Sequence, residues 1–241
     1  MKQYGFYFDA SRCTGCKACQ IACADKNGLE DGRFFRHVLG YESGSWRQDR
    51  MTGAWHQDVF HGYVSVSCNH CDDPACVKVC PTKAHAKHPE LGGLVLIDRK
   101  KCIGCGACAM ACPYHAPQLD GKAHKMTKCD ACLDRISKGG NPVCVEACTQ
   151  RALDFGYVED LRKKYGEGAH IAPLPSPAQT KPNLVINPAK KATNREVNDF
   201  RPSVNPKPSE NRAAVLEQAF YQFFPKNLVF SITLSVLLIE R

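Results

Sequence analysis

Cys102-Ile103-Gly104-Cys105-Gly106-Ala107-Cys108-Ala109-Met110-Ala111-Cys112-Pro113 is the stretch whose reading decides the fold. Its spacing is C-x2-C-x2-C-x3-C-P. Three cysteines on a tight loop wrap one iron–sulfur cluster, and a fourth, about a helical turn further on, reaches a neighbouring cluster. Gly104 and Gly106 stand where such a loop must bend and let its backbone approach inorganic sulfide, which a residue without Cβ permits. Gly15 has the same place in Cys13-Thr14-Gly15-Cys16-Lys17-Ala18-Cys19-Gln20-Ile21-Ala22-Cys23, which repeats the spacing with Ala24 in place of the proline.

Outward from these two runs, all sixteen cysteines fall into groups of four with none left over. The second run, Cys68, Cys71, Cys76 and Cys80, is followed by Pro81; one of its gaps is widened by a turn at Asp72-Asp73-Pro74. The fourth, Cys129, Cys132, Cys144 and Cys148, has eleven residues in its widest gap and Thr149 after its last cysteine. Taken alone, that fourth run also reads as a four-cysteine zinc site built from paired knuckles. Its three companions favour iron–sulfur ligation.

The connections suggest which runs share clusters. Between Cys80 and Cys102 the chain reads as a hairpin, His85 to Gly93 followed by the apolar strand Leu94-Val95-Leu96-Ile97. Runs two and three thus form a two-cluster ferredoxin-like unit of about residues 60 to 120, flanked by Tyr63–Ser67 and Ala116–Asp120. Runs one and four pair by elimination, helped by candidate strands Tyr4–Asp9 and Ala152–Val158. Crossing the fourth cysteine of each run to its partner places Cys13, Cys16 and Cys19 with Cys148. It places Cys23 with Cys129, Cys132 and Cys144; Cys68, Cys71 and Cys76 with Cys112; and Cys80 with Cys102, Cys105 and Cys108. The alternative pairs runs one and two sequentially.

The expected fold is α+β: two fused ferredoxin-like units, each with two [4Fe-4S] clusters, with long inserts and a Pro-rich C-terminal arm. The outer unit takes residues 1–40 and 121–165, and 41–120 hold an insert and the inner unit. Residues 166–210 are the extended arm, and 211–241 are a short helix with an apolar tail. The insert carries Arg33-Phe34-Phe35-Arg36, Trp46 and Trp55-His56-Gln57 without clear periodicity and packs on the core or on a partner. The arm, with eight of the fifteen prolines, lies along a partner through Leu184-Val185-Ile186. In the tail, Leu216, Ala219, Phe220 and Phe223 form a helical stripe, and the apolar run from Asn227 to Ile239 is shorter than the ~20 residues of a membrane helix.

Composition limits the function classes. At 44% hydrophobic and 23% charged residues the chain is neither disordered nor an integral membrane protein. No export signal opens it, so eight disulfides lose the support of an oxidising compartment. The net charge of +8 would suit nucleic acid. Sixteen thiolates holding four doubly positive cubane cores cancel that excess, and no nucleic-acid partner is expected. The nine histidines lack paired spacing and read as exposed loop residues, His70 and His115 among them. Basic residues near the runs, Arg99 to Lys101 and Lys122 to Lys128, can raise cluster potentials. No nucleophile–base constellation is evident, so no catalytic residue is assigned.

Beyond its cysteines the chain resembles the iron–sulfur B subunit of the bacterial anaerobic dimethyl sulfoxide reductase family. The resemblance rests on YGFYFDASRCTGCKACQIAC (4–23), GAWHQDVFHGYVSVSCNHCDDPACVKVCP (53–81), CIGCGACAMACPYHAPQ (102–118), MTKCDACLDR (126–135), CVEAC (144–148), RALDFG (151–156) and APLPSPAQTKPN (172–183). It covers roughly residues 3 to 187. It implies an electron-transfer subunit, not itself an enzyme, holding four [4Fe-4S] clusters. The implied partners are a molybdopterin catalytic subunit and a menaquinol-oxidising membrane anchor, in a heterotrimer. Some relatives hold a [3Fe-4S] centre where tryptophan replaces a cysteine of the third run; this chain keeps Cys102 to Cys112 complete. The resemblance also implies a peripheral position on the outer, periplasmic face of the inner membrane, by export with the catalytic subunit. Thr149 in place of proline and the tail beyond about Asn205 depart from the pattern. Two other functions fit the cysteines: the same conduit for thiosulfate, polysulfide, nitrate or formate, and a zinc-binding interaction module.

Overall fold

The computed structural model describes residues 2–171, 174–189 and the backbone of 199–201. The chain opens with β1 (Tyr4–Asp9) and α1 (Ala18–Lys26); the insert then forms β2 (His37–Ser43), β3 (Trp46–Gln48), β4 (Trp55–Gln57) and β5 (Phe60–Val66). Next come α2 (Ala75–Lys78), β6 (His85–His88), β7 (Leu94–Ile97), α3 (Ala107–Ala111), β8 (Gln118–Asp120) and β9 (Lys125–Thr127). The remainder is α4 (Leu133–Ile136), α5 (Val143–Glu146), β10 (Leu153–Tyr157), α6 (Val158–Tyr165), β11 (Leu184–Asn187) and β12 (Asp199–Arg201). Most helices are a single turn, because the cysteine loops leave little room for more.

In β1, five successive residues from Gly5 to Asp9 are buried. A strand buried on both faces shows no alternation, and β1 is the middle strand of a three-stranded sheet. It runs antiparallel to β10, with Phe6 opposite Phe155, and parallel to β11, with Phe6 opposite Leu184. Helix α6 covers this sheet with Val158 and Leu161, which pack with Tyr7 and Val185. The Tyr165 ring stacks on Tyr7 at 3.6 Å between centroids.

The insert is more regular than its sequence suggests. Strands β2 and β5 pair antiparallel over seven residues, from His37–Val66 to Ser43–Phe60, and β12 adds to the other edge of β2. Strand β2 buries Val38 and Gly40 on one face and Tyr41 and Ser43 on the other, so it lacks the period-two signal of a half-buried strand. Phe35 and Arg36 are buried, so the insert packs on the protein's own core. Beyond it, the hairpin of β3 and β4 exposes Trp46 and Trp55. The β6–β7 hairpin forms with the register His85–Ile97 to His88–Leu94.

Leu184-Val185-Ile186 does not await a partner. It is β11, with Val185 and Ile186 buried in the sheet. The approach to it is tied to the second cysteine run. Asp72 and Asp73 amides donate to the carbonyls of Lys181 (2.9 Å) and Thr180 (3.0 Å), and the Asn183 amide donates to the carbonyl of Asn69 (3.1 Å). Asn183 Nδ2 donates to the His70 carbonyl (2.8 Å) and to Asp72 Oδ1 (3.1 Å), while its carbonyl accepts from Phe6 N (3.1 Å). A Cβ at Gly5 would lie 2.6 Å from that carbonyl oxygen, so the close approach requires glycine there. The helix and apolar tail expected over 211–241 lie outside the described residues, as does most of 190–210.

Apolar side chains gather around cysteines in three groups. Phe6, Phe8, Val38 and Val64 pack with Cys19, Cys144 and Cys148; Ala84, Val95 and Met126 with Cys76, Cys102 and Cys108; and Phe35 and Ala116 with Cys23, Cys68 and Cys129. The Asn183 clasp joins the first of these regions to the second run's loop. Asn183→Ala leaves the His70 carbonyl without this donor, and the unfolding free energy is expected to fall by about 1–3 kcal/mol. Anaerobic urea unfolding of the cluster-loaded protein measures the loss.

Candidate iron–sulfur sites

The loops that carry the cysteines turn through left-handed backbone conformations. Gly15 has φ +70° and Gly104 has φ +73°. At Gly15 a Cβ would collide with the Tyr63 ring, and at Gly104 with the His124 carbonyl oxygen. The missing side chains therefore make room for Tyr63 and the His124 carbonyl as well as allowing the tight turn. The residue before α3, Gly106, has φ +76°, and its counterpart before α1 is Lys17 at φ +60°.

Two cavities are each bounded by four cysteines. Cys13, Cys16, Cys19 and Cys148 line one, with Phe8, Val38, Ser65 and Leu153. Cys68, Cys71, Cys76 and Cys112 line the other, with Asn69, Tyr114, Lys128 and Thr180. The packing of α1 on α5 brings Cys23 to Cys144, whose charges act on one another, and Cys132 is close to both. Cys129 is near Cys23 and Cys144. Around α2 and α3, Cys80, Cys102 and Cys108 share one packing group, and Cys105 lies exposed beside Cys102 and Cys108.

The residues suit a sulfur-rich multi-metal group. Backbone amides donate to cysteine sulfurs, as such groups require: Ala84 to Cys80 (3.2 Å), Gly104 and Met126 to Cys102 (3.4 and 3.3 Å), Ala131 to Cys129 (3.4 Å) and Ala152 to Cys148 (3.2 Å). Asn69 Nδ2 is buried on the wall of its cavity without a protein acceptor, a donor free for inorganic sulfide. Among the described residues, which include every cysteine, no three Cys, His, Asp or Glu side chains converge on a single-ion position. Tetrahedral zinc needs sulfurs about 2.3 Å from one centre. Burial raises the thiols of Cys23 and Cys76 to about 12, and of Cys13 and Cys71 to about 11, with neighbouring cysteines adding to the rise. Such thiols release protons only as metal binds.

Several residues around these cavities differ from expectation. His70 and His85, read as exposed loop histidines, are only 1% and 3% exposed. His70 Nδ1 accepts from the Val95 amide (3.0 Å), and burial with Lys128 nearby holds the ring far below its usual range. The same two causes bring His85 down to about 4. Thr149, which departs from the proline pattern, puts its hydroxyl 3.7 Å from Cys16 Sγ. Of the basic residues expected near clusters, Lys128 is buried while Arg99 to Lys101 are exposed. Arg36 is buried beside the sites without any sign of it in the sequence, because nothing in Arg33-Phe34-Phe35-Arg36 marks which arginine turns inward.

Loops of this kind, with sixteen unpaired cysteines of which eight bound two shared cavities, define an iron–sulfur protein of ferredoxin type. Residues 59–158 match the family model described as a 4Fe-4S dicluster domain, and residues 10–26 match a 4Fe-4S binding domain. The B subunit of the anaerobic dimethyl sulfoxide reductase of Haemophilus influenzae is 53% identical over 192 residues, covering 80% of this chain and 92% of that one. Its namesake in Escherichia coli is 53% identical over 186 residues, covering 77% and 89%. The iron-sulfur subunit of the nitrate-inducible formate dehydrogenase of Escherichia coli is 34% identical over 161 residues, covering 64% and 54%. This protein belongs to the iron–sulfur B subunits of the anaerobic dimethyl sulfoxide reductase family. It is an electron-transfer subunit of a reductase complex, not its catalytic subunit. Among its described residues no helix is long and apolar enough to cross a membrane.

Hydrogen bonds to cluster sulfur raise reduction potential. Thr149→Val keeps the side chain's shape and removes its hydroxyl. Iron content is expected to stay unchanged while one cluster's potential falls, as read by anaerobic redox titration.

Proposed function

We propose that the sixteen cysteines hold four [4Fe-4S] clusters in a row, making this chain the electron conduit of an anaerobic respiratory reductase. The carrying observation is the cavity bounded by Cys13, Cys16 and Cys19 from one end of the folded chain and by Cys148 from the other. The first site is that set; the third is Cys68, Cys71, Cys76 and Cys112, lining the second cavity. The second site is Cys23, Cys129, Cys132 and Cys144, and the fourth is Cys80, Cys102, Cys105 and Cys108, each supported by mutual proximity.

A linear order follows from neighbours across sites. Cys19 lies near Cys144, Cys129 near Cys68, and Cys76 packs with Cys102 and Cys108. The exposed cysteines, Cys16 and Cys105, belong to the first and last sites, which suits entry and exit at opposite ends of the row. When bound, the clusters supply one-electron carriage. The chain fixes their spacing, shields them from water and sets their electrostatics.

The relatives' names point to dimethyl sulfoxide as the substrate of the complex; in this reading the reduction of dimethyl sulfoxide or related S- and N-oxides takes place at a molybdopterin catalytic subunit. Electrons arrive from a menaquinol-oxidising membrane anchor, and the three subunits form a heterotrimer on the periplasmic face of the inner membrane. The catalytic subunit carries the twin-arginine signal that brings the folded pair across. A second reading keeps the conduit and changes the substrate, and the iron-sulfur subunit of a formate dehydrogenase among its relatives supports it, since the substrate's chemistry resides on the partner. External protease applied to intact spheroplasts tests the side of the membrane: degradation of this subunit is expected, and protection counts against the assignment.

Anaerobically purified complex is expected to yield about sixteen irons and sixteen acid-labile sulfides for this chain, in addition to those of its partners, if four cubanes are present. Cys102→Ser should alter one cluster, the other three persisting by EPR, while electron flow from quinol to substrate falls. A colourless, zinc-loaded chain in the intact fold would remove the conduit reading.

A further inference from the structure

Among the described residues, two buried cations, Arg36 and Lys128, have no carboxylate in ion-pair contact. Arg36 is 1% exposed and Lys128 is 7% exposed. Among the described residues neither belongs to an ion pair. A buried charge without a countercharge is costly, so each needs negative charge from elsewhere.

Their surroundings identify its source. Arg36 Nη1 donates to Ser65 Oγ (3.1 Å), Nη2 donates to Ser67 Oγ (2.9 Å), and the guanidinium lies 4.7 Å over the Phe6 ring. These are neutral partners. The charges facing the guanidinium are the sulfurs of Cys19, from the first site, and of Cys144, Cys129 and Cys23, from the second. Ser65 Oγ also lies 3.5 Å from Cys19 Sγ, so one hydroxyl touches both the cation and a ligand. Lys128 Nζ donates to the carbonyls of Val95 and Cys129, the latter at 2.9 Å. It faces Cys129 of the second site and Cys68 and Cys76 of the third. Each cation thus stands at a junction between consecutive sites.

We infer that Arg36 and Lys128 are positioning residues that set cluster potentials in adjacent pairs, Arg36 for the first and second sites and Lys128 for the second and third. Reduction adds one electron, and one negative charge, to a cluster without breaking a bond. A fixed cation in a medium of low polarisability attracts that added charge and stabilises the reduced form. Because one cation serves both sides of a junction, it lifts both potentials together and keeps the hop between them close to level. The electron comes from the quinol side of the complex, and no proton needs to accompany it. The inference rests on the assignment of the four sites.

The test uses the complete complex in membranes, poised anaerobically with redox mediators and read by EPR. Arg36→Met removes the charge at similar length, and Arg36→Lys keeps it. In Arg36→Met, two clusters are expected to show at least a tenfold lower ratio of reduced to oxidised form at a given solution potential. That corresponds to a fall of about 59 mV for a one-electron couple. The other two should move less than twofold, and Arg36→Lys should stay near the unsubstituted values. The inference is overturned if Arg36→Met leaves all four unmoved, shifts all four alike, or is matched by Arg36→Lys. Should Arg36→Met lose iron, Lys128→Met and Lys128→Arg are read in the same way for the second and third sites. Iron loss in all four variants also overturns it, since shape rather than charge would then be the requirement. A chain contribution far from sixteen irons in the unsubstituted complex would instead be a failure of the four-cluster assignment, separate from unmoved potentials at full iron.

Discussion

Three cysteines on a tight loop and a fourth from a distant run meet at each of the two enclosed cavities, and the rest of the molecule is arranged around that meeting. Cys148 must reach Cys13, Cys16 and Cys19, and Cys112 must reach Cys68, Cys71 and Cys76. Both requirements fold the polypeptide back on itself. The helices that carry cysteines are then short, and the strand pairs β1–β10 and β6–β7 form beside them. Apart from the small group under α6, the clustered buried apolar residues pack around the sulfurs. Small folds of this kind commonly depend on metal centres to hold them together.

Gathering sulfur in the interior sets the electrostatic pattern. Thiols raised by burial, backbone amides aimed at sulfur, and two buried cations without carboxylates all describe an interior prepared for negative charge. The surface is different. Ion pairs such as Lys78–Asp73 and Lys163–Asp160 are exposed and add little to stability. The protein's formal charge of +8 is therefore divided between a conventional exterior and an interior share that faces the ligands.

Much of this was legible in the sequence, for a physical reason. Cysteine loops impose spacing that local chemistry cannot vary, so the four runs, the strand Tyr4–Asp9 and the hairpin after His85 could be read directly. The insert was less legible, because β2 buries Gly40 on one face and Ser43 on the other and so loses the apolar alternation that marks a strand. The segment 184–187 was recognised as apolar, but a linear sequence does not reveal that its acceptor is the first strand of the same chain. Burial of His70, His85, Arg36 and Lys128 was equally hidden, since each is polar and its enclosure depends on residues far away in sequence. Thr149 is the opposite case. Its departure from proline was visible, and its hydroxyl beside Cys16 became apparent only with the fold.

The first strand of the chain is flanked on both sides by strands made long after it, β10 and β11. During synthesis from the N-terminus, β1 has neither neighbour until the ribosome has passed well beyond the cysteine runs. The loop of Cys13, Cys16 and Cys19 therefore waits with an open side for most of translation, while the inner hairpin of β6 and β7 can close as soon as it emerges. The strand β11, made after every cysteine, is the one that completes the sheet around β1.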